Sequence, residues 1–175
     1  MSWMGRVVGG GLIVMGGILG CAWTASADEA LPKESVLPLA LANKAAAAAL
    51  ERCTKEGYRV SVAVVDRDGV LTAFMRGDGA GPHTVSSSSR KAYTAASLRR
   101  STGALAEAVA KQPAIEGLRQ MDPNILILGG GLPIEFGREV VGGIGVGGSP
   151  GAQLDEGCAK AGLESIGAGA KSSEK

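Results

Sequence analysis

The sequence predicts an α+β domain built on a single five-stranded antiparallel sheet flanked by helices. Three observations predict it. The strand-like runs come in groups joined by hairpin-length turns instead of alternating with helices, an alanine-rich helical run precedes them, and further helical segments bounded by Gly and Pro separate and follow them. The chain has 175 residues, enough for one domain with one core.

Each element has a local reason. Pro38 to Glu56 is rich in alanine and free of glycine, and reads as a helix ended by Gly57. Val60 to Val65 is a β-branched apolar run, Asp66, Arg67, Asp68 and Gly69 supply turn chemistry, and Val70 to Met75 returns, which makes a hairpin. Gly77 to Pro82 reads as a loop, after which Thr84 or a neighbouring serine is placed to cap a helix running to about Arg100. His83 therefore stands at a loop-to-helix junction. Thr102 is placed to cap a helix from Ala104 to Lys111, which Pro113 ends. Ile125 to Leu128 reads as a short buried strand, Gly129 to Gly131 as a tight connection, and Leu132 to Phe136 and Glu139 to Val146 as two more strands of a meander. Pro150 and Ala152 open a last helix that Gly162 stops, and residues 167–175 read as a small polar tail.

Ahead of the domain, residues 1–27 read as an export signal. Arg6 provides a positive start, Val7 to Leu19 is apolar and too short to span a bilayer, and Ala25, Ser26 and Ala27 form an A-x-A cleavage site. The expected location is periplasmic or secreted. A second reading takes Ile18, Leu19, Gly20 and Cys21 as a lipobox, with Cys21 lipidated at a membrane. Cleavage after Ala27 removes one basic residue and no acid, so 17 basic residues face 17 acidic ones, and both tryptophans leave. Cys53 and Cys158 then remain in an oxidising compartment, either as one disulfide between an early and a late helix or as two buried thiols.

Composition excludes several functions. A formal charge of +1 and 3% aromatic residues give neither the electrostatic footprint nor the stacking platforms of a nucleic-acid binder. One histidine cannot build a multi-histidine zinc or iron site, and without C-x-x-C-H there is no covalent c-type haem attachment. Gly143, Gly145 and Gly148 match G-x-G-x-x-G, but near the end of the chain with a single helix left, so close backbone approach explains them better than dinucleotide binding. Gly147, Ser149 and Gly151 match G-x-S-x-G, but His83 lies upstream of the serine, against the order a hydrolase of that type needs.

The stretch that carries chemistry is residues 60–96. Arg76 and Asp78 directly follow a strand, the loop glycines free the backbone, His83 precedes a helix with unpaired first amides, and Lys91 follows about two turns later. Arg76, Lys91 and that helix start could hold an anion; equally, Arg76 and Asp78 could form an ordinary surface pair and His83 a simple cap. A haem would place its propionates on the cations and its iron near His83.

The run VSVAVVDRDGVLTAFMRGDGA, the segments RKAYTAAS and GGGLPI, and VVGGIGVGGSPGAQLDEGCAKAGL together resemble the GlcG/HbpS-like haem-binding family, also called DUF336 and related to the C-terminal domain of PduO-type proteins. The resemblance covers residues 36–166. It implies a five-stranded antiparallel sheet between helices, profilin-like or roadblock-like in shape, and a homo-oligomer, dimer or octamer. It places the ligand site at Arg76, Asp78, Gly79 and Ala80, at Lys91, and at Gly130, Gly131 and Pro133, with His83 and Thr84 in a GPHT variant of the loop. The expected function is non-covalent haem or tetrapyrrole binding, with His83 as iron ligand and Arg76 and Lys91 as propionate partners. The alternatives are a module for a small carboxylate of the glycolate type and a haem-degrading enzyme.

Overall fold

The computed structural model describes residues 33–169. The expected export signal at 1–27, with Cys21, lies outside the described residues, as do residues 170–175. The elements are α1 (Leu39–Lys55), β1 (Ser61–Asp66), β2 (Leu71–Arg76), α2 (His83–Leu98), α3 (Thr102–Lys111), a 3₁₀ helix (Pro113–Arg119), β3 (Gly131–Phe136), β4 (Glu139–Gly147) and α4 (Ala152–Ser165).

Among the described residues the sheet has four strands, ordered β2-β1-β4-β3, with every neighbouring pair antiparallel. The hairpin joining β1 and β2 turns as expected: Asp66 Oδ1 accepts the N–H groups of Asp68 at 3.0 Å and Val70 at 2.9 Å, and Gly69 has φ +79°. The expected fifth strand is absent. Ile125 to Leu128 is irregular: Ile125 and Ile127 bury their side chains against Leu105 and Val109, but the backbone is held by side chains and by local turns, Ile125 N–H on the Asp122 carbonyl at 3.1 Å and Leu128 N–H on the Leu126 carbonyl at 3.0 Å, and not by a ladder. Thr94 Oγ1 accepts the Leu126 N–H at 2.8 Å, Arg90 donates to the Ile125 carbonyl at 2.7 Å, and Arg119 donates to the Ile127 carbonyl at 3.0 Å. With its polar groups satisfied this way, the segment needs no strand partner.

Strand alternation gives the sheet two faces. Val62, Val64, Leu132, Ile134, Ile144 and Val146 face α1 and α4 in the main core. On the other side Ala63 and Val65 meet Ala92 and Ala96 of α2. This second face is thin because glycine makes it so: a Cβ on Gly143 would stand 2.3 Å from the Ala92 carbonyl oxygen, and one on Gly145 would stand 2.1 Å from that of Ser88. The first two glycines of the G-x-G-x-x-G match are therefore a seat for the backbone of α2, while the third, Gly148, lies against the Arg59 carbonyl and Val60.

α1 buries Ala42, Ala45, Ala46, Ala49 and Cys53, a helical stripe, and ends at Gly57 with φ +82°. There the Tyr58 N–H reaches the Cys53 carbonyl at 2.9 Å, which satisfies an orphan acceptor of the last turn. α4 does not stop at Gly162. That residue sits inside the helix where a Cβ would come 2.7 Å from the Ala45 carbonyl oxygen, so it lets α1 and α4 pack closely. The stop is Gly167, with φ +70°, and Ala168 beyond it is buried, so the expected tail begins as part of the core. A disulfide between Cys53 and Cys158, Cα atoms 5.5 Å apart, ties the two helices. The cap of α3 also differs from expectation: Ser101 Oγ accepts the Ala104 N–H at 3.1 Å, while Thr102 is buried and its Oγ1 accepts the Gly131 N–H at 2.8 Å.

Candidate functional site

The residues expected to share one site fall into two regions. The first is the loop from Gly77 to Pro82 with the start of α2. Gly77 leaves the sheet with its N–H on the Val60 carbonyl at 2.9 Å, and the Ala80 N–H closes a turn on Gly77 at 3.1 Å. Gly79 has φ +73°, the left-handed conformation that the turn requires. Three side chains then lie against three successive loop residues. Arg59 runs across Gly79, where a Cβ would be 3.1 Å from its Cδ and 3.4 Å from its Nη1. Arg76 donates through Nε and Nη2 to the Ala80 carbonyl, the Nε contact being 3.1 Å. The His83 ring folds over Gly81, where a Cβ would come 2.6 Å from Cε1.

His83, Arg59, Arg76 and Asp78 are all exposed. Among the described residues, no carboxylate lies within ion-pair distance of Arg59 or Arg76, so Arg76 and Asp78 do not form the surface pair considered above. Arg59, Arg76 and Asp78, with Leu50, Thr54 and Tyr58, line a cleft of about 410 Å³. Beneath the loop, Thr84 is buried. Its Oγ1 donates to the Gly81 carbonyl at 2.6 Å and stands 2.7 Å from Ser61 Oγ, so it braces the loop against β1 and does not cap α2.

The second region is buried. Lys91 Nζ is 2.8 Å from Asp155 Oδ2 and 2.9 Å from the Val146 carbonyl oxygen, and Asp155 Oδ1 accepts the Ser149 N–H at 3.0 Å. Lys91 is 2% exposed and Asp155 3%. The glycines expected to line a ligand pocket pack around this pair instead: a Cβ on Gly130 would lie 2.7 Å from Asp155 Cβ and 2.9 Å from Lys91 Nζ, and one on Gly131 would lie 2.4 Å from the Lys91 carbonyl oxygen. Pro133 is buried in edge strand β3 opposite Gly143. The sequence expectation that Lys91 joins Arg76 in holding an anion is corrected here, because its ammonium is already neutralised and enclosed. Ser149, the centre of the G-x-S-x-G match, donates its hydroxyl to the Gly151 carbonyl at 2.8 Å and shapes the turn into α4.

Two residues of these regions escaped the sequence reading. Arg59 precedes a strand and belongs to no motif; only the fold lays it over Gly79. Asp155 did leave a signal. It begins the buried stripe Asp155, Cys158, Ala159, Gly162 and Leu163 at helical spacing, and an acid at an apolar position requires a cationic or hydrogen-bonding partner.

The chain resembles known proteins throughout this domain. The family model described as "Haem degrading protein HbpS-like" matches residues 37–164. Among solved structures, a double mutant of HbpS from Streptomyces reticuli is 45% identical with a TM-score of 0.71, over 77% of this chain and 89% of that one. The ORFY protein of Klebsiella pneumoniae, a DUF336 structure, is 31% identical with a TM-score of 0.73, over 78% of this chain and 94% of that one. A PduOC:heme complex is 25% identical with a TM-score of 0.71, over 77% of this chain and 98% of that one. With the family's pattern running from the first helix through the last, this chain is a member of the HbpS-like family.

Proposed function

We propose that this protein binds haem non-covalently at the exposed loop, with His83 as the iron ligand and Arg76 and Arg59 as partners of the propionates. The observation that carries the reading is one imidazole and two guanidinium groups, none of them ion-paired among the described residues, against the successive residues Gly79, Ala80 and Gly81, with Asp78 in the same loop. That donor set suits haem: the iron accepts a neutral imidazole nitrogen, and a guanidinium presents a fork matched to a carboxylate. Leu50 and Tyr58 give the adjoining cleft an apolar wall. The chain's own contribution is to hold His83 through the Thr84 and Ser61 brace and to aim Arg76 by its bond to Ala80. Bound haem would supply the redox-active iron. A glycolate-type acid held by Arg76 and Lys91 is disfavoured, because Lys91 is enclosed with Asp155.

His83 is open to solvent, so a second copy of the chain would serve to cover a ligand there, consistent with a dimer or octamer. The Cys53–Cys158 disulfide supports an exported protein, since such bonds persist in oxidising compartments. Titration of haemin into the mature protein is expected to shift the Soret band with about one site per chain, to lose the shift in His83→Ala and to weaken it in Arg59→Ala. No shift in the wild type overturns the reading. Following the same sample over time with a reductant, beside His83→Ala, separates binding from degradation.

A further inference from the structure

A second cavity, of about 170 Å³, opens between the β1–β2 hairpin, α2 and the turn before Ile125. It shares no residue with the loop around His83. Val65, Leu71 and Tyr93 form its apolar walls, and Ser89, Arg90 and Asn124 its polar ones. Arg90 is the unusual member. Its Nη2 is fixed on the Ile125 carbonyl at 2.7 Å, no carboxylate lies within ion-pair distance among the described residues, and its Nε is enclosed by protein without an acceptor. An N–H taken out of water and given no acceptor is a standing cost, and a guanidinium already anchored at one end loses little freedom on binding an anion.

From this we propose a binding site for a small organic anion, a carboxylate with a short apolar tail. The carboxylate sits on the Arg90 guanidinium, which turns about its Ile125 anchor to bring Nε to the cavity wall. The tail lies between Leu71, Val65 and the Tyr93 ring. Size sets the class: a cavity of roughly 150 Å³ accommodates benzene, so this one takes a ligand of that bulk and excludes a tetrapyrrole. The mixture of one cation with apolar walls favours such a carboxylate over inorganic phosphate, which would leave the walls uncovered.

The test is an NMR titration of the mature wild-type protein with benzoate and butyrate, reading the Arg90 Nε–Hε resonance together with the amides of Leu71 and Tyr93. The expected result is a saturable shift of all three, absent with benzyl alcohol as the neutral control and with phosphate. In Arg90→Lys, which keeps the charge and loses Nε, affinity should fall about tenfold or more, and Leu71→Ala should weaken it less. An unmoved Arg90 resonance, or equal shifts with benzyl alcohol, overturns the proposal. The outcome is independent of haemin binding, because His83→Ala should leave this titration unchanged.

Discussion

Arg59 and Lys91 carry the same charge within one small domain and meet opposite fates. Lys91 lies on the inner face of α2, where it is enclosed by Asp155, the Val146 carbonyl and the backbone of Gly130 and Gly131. Arg59 lies on the surface across Gly79, without a carboxylate partner among the described residues. The buried region has all its polar groups met from within the chain and serves as a clamp: it joins α2, β4 and α4 at one point. The loop has donors left over and faces solvent. Both are built from the same materials, a cation and glycines that bring backbone close, so residue type alone does not separate a buried clamp from an open loop. Enclosure does.

The largest test of this contrast is removal of the buried cation. Lys91→Met should lower stability by about 3–5 kcal/mol in urea unfolding, because it leaves Asp155 buried and unpaired. The double variant Lys91→Met with Asp155→Leu should regain much of that loss, and a double variant as unstable as the single one would show that packing, not charge, dominates. Gly145→Ala should cost about 1–3 kcal/mol, because its Cβ meets the Ser88 carbonyl and α2 must move. Thr84→Val should cost about 1–2 kcal/mol through the lost bonds to Gly81 and Ser61, and it should also loosen haemin binding if the brace positions His83. At the loop itself the contrast is sharpest, since His83→Ala should change stability by less than about 0.5 kcal/mol while abolishing the Soret shift.

The smallest expected effect concerns pH. The hydroxyl and then the N–H of Ser35 bind the Glu139 carboxylate, with Arg67 close by, and hold its pKa below the ordinary value. A lowered folded pKa contributes stability that is complete above the unfolded value, about 4.3, and is lost as pH falls through the folded one. The stability gap between wild type and Glu139→Gln should therefore narrow on acidification below about pH 4. A gap that widens there would show that the Ser35 contact does not favour the ionised form.

Legibility followed the range of the interaction. The hairpin at Asp66 to Gly69 and the end of α1 at Gly57 were legible, because each is a matter of backbone conformation within a few residues. The loop before His83 was legible for the same reason. The fifth strand was misread because Ile125 and Ile127 do alternate like a strand, and only Thr94, Arg90 and Arg119 reveal what takes its hydrogen bonds. Gly162 was misread as a stop because glycine serves helix ends and close helix packing alike. In the site, His83 and Arg76 could be found from position, whereas Arg59 could not.

By itself, then, the sequence determined the order of the four α-helices and four of the five expected strands, the α+β class, and the placing of its one histidine between glycines and a helix start. These follow from local conformational preference and from the period of apolar residues. Tertiary structure decided which cation stays free. Lys91 finds Asp155 from 64 residues away, and its choice of partner depends on how β4 and α4 are stacked around α2, which no local pattern encodes.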